Sequence, residues 1–62
     1  MRIRPWPNGR GCDVGLTEVH YGRHLSVWHH TESGRVKHLT MPAGMDVLEA
    51  VRQCRARGKR VR

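Results

Sequence analysis

The chain has 62 residues and a formal net charge of +7, with 12 Lys and Arg against 5 Asp and Glu. This length allows one domain at most, and two Trp, one Tyr and no Phe supply little apolar surface, so we expect a marginally stable fold that a homodimer or a ligand would support. No stretch approaches the ~20 apolar residues of a membrane helix and no secretion signal is visible, which predicts a cytoplasmic protein without a membrane partner.

Residues 1–12 are predicted to form an irregular arm. This segment contains a run of residues that interrupt regular structure, Pro5-Trp6-Pro7-Asn8-Gly9-Arg10-Gly11. Residues 13–62 are then expected to form a single small domain with a basic C-terminal end.

Three strands are predicted in the first part of this domain, because β-branched and aromatic residues predominate there. They cover residues 14–21, 24–31 and 35–41. A turn at Gly22-Arg23 separates the first two strands.

Ser33-Gly34 is predicted to be the two-residue turn of a hairpin between the second and third strands. Counting outward from this turn pairs Trp28 with Leu39 and His30 with Lys37, and paired residues share a face of the sheet. One face would hold Ser26, Trp28, His30, Glu32, Arg35, Lys37, Leu39 and Met41, and the other would hold Leu25, Val27, His29, Thr31, Val36, His38 and Thr40.

A helix is predicted over about residues 47–57. Asp46 and Glu49 have the spacing of a capping box with Asp46 as the N-cap, and Gly58 is a suitable C-cap. Apolar residues recur at helical spacing. These residues are Val47, Leu48, Val51 and Cys54. Residues 59–62 are interpreted as either a tail or a short last strand.

Five histidines and two cysteines suggest a search for metal-binding or catalytic groups. No Cys-x-x-Cys motif is present, and His20 and His24 flank a predicted turn instead of sharing a helix face. Cys12 and Cys54 are expected to be reduced thiols. No glycine-rich phosphate loop precedes the helix, and no nucleophile and base have a diagnostic spacing. We therefore predict no metal, no cofactor and no enzymatic activity.

Positive charge is concentrated at the C-terminal end of the sequence. Residues 52–62 contain six basic and no acidic side chains, whereas residues 12–34 sum to −2 and residues 35–51 to zero. Such a concentration attracts polyanions, and nucleic acids are the commonest polyanions in a cell. A tail that only increases solubility is the alternative interpretation.

The first functional hypothesis is a small, basic, nucleic-acid-binding module, an accessory protein of a bacterium, phage or mobile element, with DNA favoured over RNA. If the helix covers the face of Val27, the opposite face presents Trp28 for stacking on bases. If Trp28, Leu39 and Met41 form the core, the basic end is the main contact surface. The candidate residues are Trp28, Arg35, Lys37, Arg52, Arg55, Arg57, Lys59, Arg60 and Arg62.

The predicted fold class is α+β, a three-stranded antiparallel sheet packed against one C-terminal helix in the order β-β-β-α, with a short last strand as an option. This order over residues 14–57 resembles the small DNA-binding domains at the N-termini of some phage and transposon integrases, and plant AP2-type domains. That resemblance implies a sheet placed in the major groove, and it assigns no residue a role. The order also resembles small phage proteins that inhibit host machines, so the alternative function is a non-catalytic modulator of a host nucleoprotein complex that docks on an acidic protein surface.

Overall fold

The structure, a computed structural model, describes residues 2–61 and contains one antiparallel sheet of six strands and one helix. The elements in chain order are β1 (Ile3–Pro5), β2 (Gly11–Val14), β3 (Thr17–His20), β4 (His24–His30), β5 (Val36–Pro42), α1 (Val47–Arg57) and β6 (Lys59–Val61). The spatial order of the strands is their order in the sequence, and α1 connects β5 to β6. The prediction of a three-stranded sheet is therefore wrong, and only the α+β class is retained.

The segment predicted to be an irregular arm contains β1 and the first two residues of β2, and β1 pairs with β2. Pro7 and Asn8 interrupt regular structure, but they form the turn of a hairpin between β1 and β2 and not part of an irregular arm. The Trp6 N–H donates to the Gly11 carbonyl oxygen at 2.9 Å, and the Gly9 N–H donates to the Trp6 carbonyl oxygen at 3.0 Å. Residue 1 lies outside the described residues.

The predicted strand over residues 14–21 is divided by a tight turn. Val14 pairs with Thr17, so Gly15 and Leu16 form a two-residue loop. Gly15 has a φ of 61°, whereas φ at Leu16 is not positive. This combination is typical of a type II′ turn, which favours glycine at its first central position. The sequence interpretation missed this turn because it treated Gly15 as a strand residue.

The hairpin between β4 and β5 has a three-residue loop instead of the predicted two-residue turn. The Thr31 N–H donates to the Arg35 carbonyl oxygen at 2.8 Å, which closes the loop over Glu32, Ser33 and Gly34. Gly34 adopts a φ of 84°. A glycine in the left-handed conformation at the last loop position is the usual way to build a three-residue hairpin loop.

The extra loop residue moves every pair of this hairpin by one position relative to the prediction. Trp28 pairs with His38 instead of Leu39, and His29 pairs with Lys37 instead of His38. Because side chains alternate along a strand, the two faces of β5 are exchanged. One face of the hairpin carries Leu25, Val27, His29, Lys37, Leu39 and Met41, and the other carries Ser26, Trp28, His30, Val36, His38 and Thr40.

The core lies between α1 and the sheet face that holds Val27; we call this the helix face and its opposite the open face. The buried apolar residues are Cys12, Val14, Val19, Leu25, Val27, Met41, Ala50, Val51 and Cys54. Leu39 packs against this core as well, whereas Val36 lies on the open face. The helix therefore covers the face of Val27, as one alternative expected. It also covers Leu39 and Met41, which the other alternative placed in a core with Trp28.

The prediction for α1 is confirmed, and its bounds are Val47–Arg57. The Asp46 carboxylate accepts a hydrogen bond from the Glu49 N–H at 3.1 Å, as an N-cap should. Gly58 is the C-cap, but its φ of −53° is not left-handed. Glycine is needed here because a Cβ would lie 2.8 Å from the Cys54 carbonyl oxygen. This close approach lets β6 begin immediately after the helix.

Candidate nucleic-acid interface

The strand register places one residue from every strand in a single row across the open face. The row consists of Arg4, Asp13, Glu18, Trp28, His38 and Lys59. Basic side chains therefore occupy both edges of the row, carboxylates occupy β2 and β3, and two aromatic rings occupy β4 and β5. The part of the open face formed by β4, β5 and β6 contains no carboxylate in this row.

Trp28 is half-buried on the open face, where its ring is held by its neighbours. The indole and the His38 imidazole are stacked, with ring centroids 4.0 Å apart and an angle of 28° between the planes. The indole Nε1–H donates to Ser26 Oγ at 3.0 Å, and the same hydroxyl lies 3.0 Å from His38 Nε2. The Ser26 hydroxyl thus bridges the two rings and fixes their relative orientation.

Glu18 connects two further histidines on the open face. Its carboxylate lies 2.8 Å from His30 Nε2 and 3.2 Å from His20 Nε2. The hydrogen bond with His30 is the largest cause that lowers the pKa of the Glu18 carboxyl group. The ring of His20 also meets Trp6 edge-on, with centroids 4.8 Å apart. This part of the face is therefore organised around a negative charge.

Lys37, a candidate residue, lies on the helix face and not beside Trp28. Its Nζ donates to the carbonyl oxygen of Arg55 near the end of α1 at 2.6 Å. An ammonium group at the C-terminal end of a helix is stabilised by the orphan carbonyl groups there. Lys37 is thus part of the contact between helix and sheet, and its side chain is half-buried.

Arg55 is likewise part of this contact. Its Nη2 donates to the Val14 carbonyl oxygen at 3.2 Å, and its Nε donates to Thr17 Oγ1 at 3.3 Å. The Thr17 hydroxyl is fully buried and also lies 2.8 Å from His29 Nδ1. Burial is the largest cause that lowers the pKa of His29, followed by the charges of Arg55 and Lys37.

Two other helical candidates bind neighbours on the surface of α1. Arg52 Nη2 donates to the Glu49 carboxylate at 2.5 Å, which pairs its charge with an opposite one. Arg57 Nη2 donates to the uncharged Gln53 Oε1 at 3.0 Å, and Arg57 forms no ion pair with another residue in the range 2–61. Arg52 and Arg57 therefore differ in the net charge that they contribute to the surface.

The remaining candidates lie on β6 or next to it in the chain or the sheet. Lys59 and Arg60 are exposed on β6 and alternate between the open and helix faces. Arg57 ends α1 two residues earlier, and exposed Arg35 precedes Val36, whose partner on β6 is Val61. None of these four basic side chains forms an ion pair with another residue in the range 2–61. We call Arg35, Arg57, Lys59 and Arg60 the basic edge; Arg62 lies outside the described residues.

The sequence interpretation placed His30 on the face of Trp28 and His29 on the opposite face, as the structure has them, but it placed His38 on the wrong face. His38 shares the open face with Trp28, His30 and His20. The signal that could have revealed this is Gly34, since a three-residue loop ending in glycine gives the observed register directly.

Other kinds of site were also sought within residues 2–61. Cys12 and Cys54 are buried and form no disulfide, and burial raises the pKa of the Cys54 thiol. Among these residues no group of three or more His, Cys, Asp or Glu side chains is close enough to hold a metal ion, and no enclosed pocket is formed. The described part of the chain has no helix with the length and apolar character needed to cross a bilayer.

Comparisons with known protein families, with curated proteins and with solved structures gave no match for this chain.

Proposed function

We propose that this protein binds nucleic acid through the basic edge, with DNA as the favoured form. The observation that carries the proposal is the placement of Arg35, Arg57, Lys59 and Arg60 on or beside β6, from a loop, a helix end and a strand, with no carboxylate among residues 2–61 paired to any of them. Guanidinium and ammonium groups in such an arrangement attract phosphates by charge and bind them by hydrogen bonds. A cytoplasmic location is part of this proposal.

The site is smaller than the sequence suggested. Arg55 and Lys37 are engaged between helix and sheet, and Arg52 is paired with Glu49. A cation that neutralises a phosphate releases counterions from the nucleic acid, and a cation already paired with a carboxylate has less net charge for this. The proposal therefore assigns the phosphate contacts to the four members of the basic edge.

The salt dependence of binding tests this assignment. Four phosphate contacts on duplex DNA predict that log K falls with log salt at a slope of about −3.6, from ~0.9 per contact. A titration of a fluorescein-labelled 16-base-pair duplex between 25 and 200 mM NaCl, followed by anisotropy, measures that slope. No binding to duplex or single-stranded oligonucleotides at the lowest salt would refute the proposed function.

A matched pair of variants tests the location. Lys59→Gln and Arg23→Gln remove the same charge, but Arg23 lies in the loop between β3 and β4 and outside the basic edge. We expect Lys59→Gln to reduce the slope by about one and Arg23→Gln to leave it nearly unchanged. Equal effects of the two variants would show that overall charge, and not the basic edge, drives binding.

An acidic protein surface is the second candidate partner. The specific observation in its favour is Val61, an exposed apolar residue on β6 that shares the open face with Lys59. Apolar contacts flanked by cations are typical of protein interfaces and add nothing to phosphate binding. A stoichiometric protein partner that remains bound after nuclease treatment, and that Lys59→Gln weakens, would favour this candidate.

A further inference from the structure

The open face is suited to a polyanion only on one side. In the row across the open face Asp13 and Glu18 occupy β2 and β3, and their negative charges repel phosphates. His38 and Lys59 continue the same row on β5 and β6, and neither of these strands, Val36–Pro42 and Lys59–Val61, contains an acidic residue. A nucleic acid that contacts the open face should therefore cross β4, β5 and β6 and avoid β2 and β3.

This side of the face also offers an aromatic surface next to a cation. The Trp28 and His38 rings lie on the neighbouring strands β4 and β5 and stack with their centroids 4.0 Å apart. Lys59 is the partner of His38 on β6. A base can therefore lie against the ring pair while its phosphate meets the Lys59 ammonium group.

We propose that the protein prefers single-stranded nucleic acid, with a base stacked on the Trp28–His38 pair and the flanking phosphates on the basic edge. Within a duplex the faces of each base are covered by neighbouring base pairs, so a side-chain ring can reach them only in a single strand or a distorted duplex. This inference rests on the proposed function, because it assumes that the basic edge holds the phosphates.

The first test compares ligands of equal length. Fluorescein-labelled oligo-dT, oligo-U and a DNA duplex, each eight nucleotides long per strand, are titrated with the intact chain at low salt. We expect both single strands to bind at least about fivefold more tightly than the duplex, the lower limit for one stacked base. Equal affinities for single strands and duplex would overturn this inference but leave the proposed function intact, whereas no binding to any ligand would overturn both.

The second test removes the ring. Trp28→Leu should lower the ratio of single-strand to duplex affinity, with a loss of about 5- to 150-fold for the single strand, while Trp28→Phe should retain most of that ratio. Lys59→Gln should weaken both ligands similarly and so leave the ratio unchanged. A Trp28→Leu variant that folds and keeps the full ratio would overturn the inference.

A third measurement does not require the Trp28→Leu variant to fold. In a Trp6→Phe background Trp28 is the one indole of the chain, and a stacked base should quench its fluorescence in proportion to the fraction of protein bound. Saturating oligo-dT that causes no change in this emission would also overturn the inference.

Discussion

Replacing Arg55 with glutamine is expected to lower the free energy of unfolding by about 2 kcal/mol. The guanidinium group donates to the Val14 carbonyl oxygen at 3.2 Å and to Thr17 Oγ1 at 3.3 Å. Hydrogen bonds that involve a charged group contribute ~1.5–3 kcal/mol each, but both distances are at the long end of the normal range and Arg55 is only half-buried, so we assign ~1 kcal/mol to each. A chain of this size has a total stability of ~3–9 kcal/mol, so the loss is substantial.

Thermal unfolding followed by circular dichroism measures this effect, which corresponds to a decrease in Tm of about 8–16 °C. Arg57→Gln is the matched control, since it removes the same charge from the same helix and loses only a surface hydrogen bond to Gln53. The control should change stability by less than about 0.5 kcal/mol. An unchanged Tm for Arg55→Gln combined with a loss of nucleic-acid affinity would refute the structural role of Arg55 and restore it as a phosphate contact.

Three further predictions concern the helix face. The unfolding free energy should decrease as the pH falls below ~6.5. Burial lowers the pKa of His29 in the folded protein, so the unfolded chain binds a proton at a higher pH than the folded protein does. Urea titrations at pH 8 and pH 5 should show a smaller decrease for His29→Gln than for the wild-type protein. Gly58→Ala should destabilise the protein by ~1–3 kcal/mol in thermal unfolding, because its Cβ would lie 2.8 Å from the Cys54 carbonyl oxygen, whereas Gly44→Ala has open space and should have little effect. Val27→Ala should cost ~2–3 kcal/mol in urea unfolding, from two lost methyl groups and the cavity that remains.

Each of these three predictions can fail clearly. An identical pH dependence in the wild-type protein and His29→Gln would show that His29 is not held in its neutral form. Similar Tm values for Gly58→Ala and Gly44→Ala would mean that the backbone between α1 and β6 adjusts easily. A loss well below 1 kcal/mol for Val27→Ala would place that residue outside the core.

The helix could be predicted from the sequence because its signals are local. The capping residue Asp46, the apolar spacing and Gly58 all act within a few residues of α1, and the structure gives the predicted bounds. The number of strands could not be predicted in the same way. β2 pairs with β1 on one side and with β3 on the other. Residues 3–5 therefore form a strand and Gly15 forms a turn. Whether a segment becomes a strand thus depends on the partner strands that are available to it.

The residues of the candidate site could also be predicted only in part from the sequence. Composition identified the concentration of basic residues correctly, but it could not distinguish Arg57 from Arg55, which are two positions apart on α1. The difference arises from the direction of each side chain, since Arg55 reaches Val14 and Thr17 on the sheet. The one-residue change in register at Gly34 similarly moved Lys37 to the helix face and His38 to the side of Trp28.

The two outer strands of the sheet, β1 and β6, each have a neighbour on one side only. A strand edge of this kind can pair with the edge of another molecule and so start aggregation. Pro5 has no N–H to donate, and Arg4, Lys59 and Arg60 would bring like charges together if two such edges approached each other. Lys59 and Arg60, which we assign to ligand binding, therefore also oppose self-association through the edges of the sheet. Light scattering should accompany every charge-removing variant of β6, so that aggregation is not mistaken for loss of affinity.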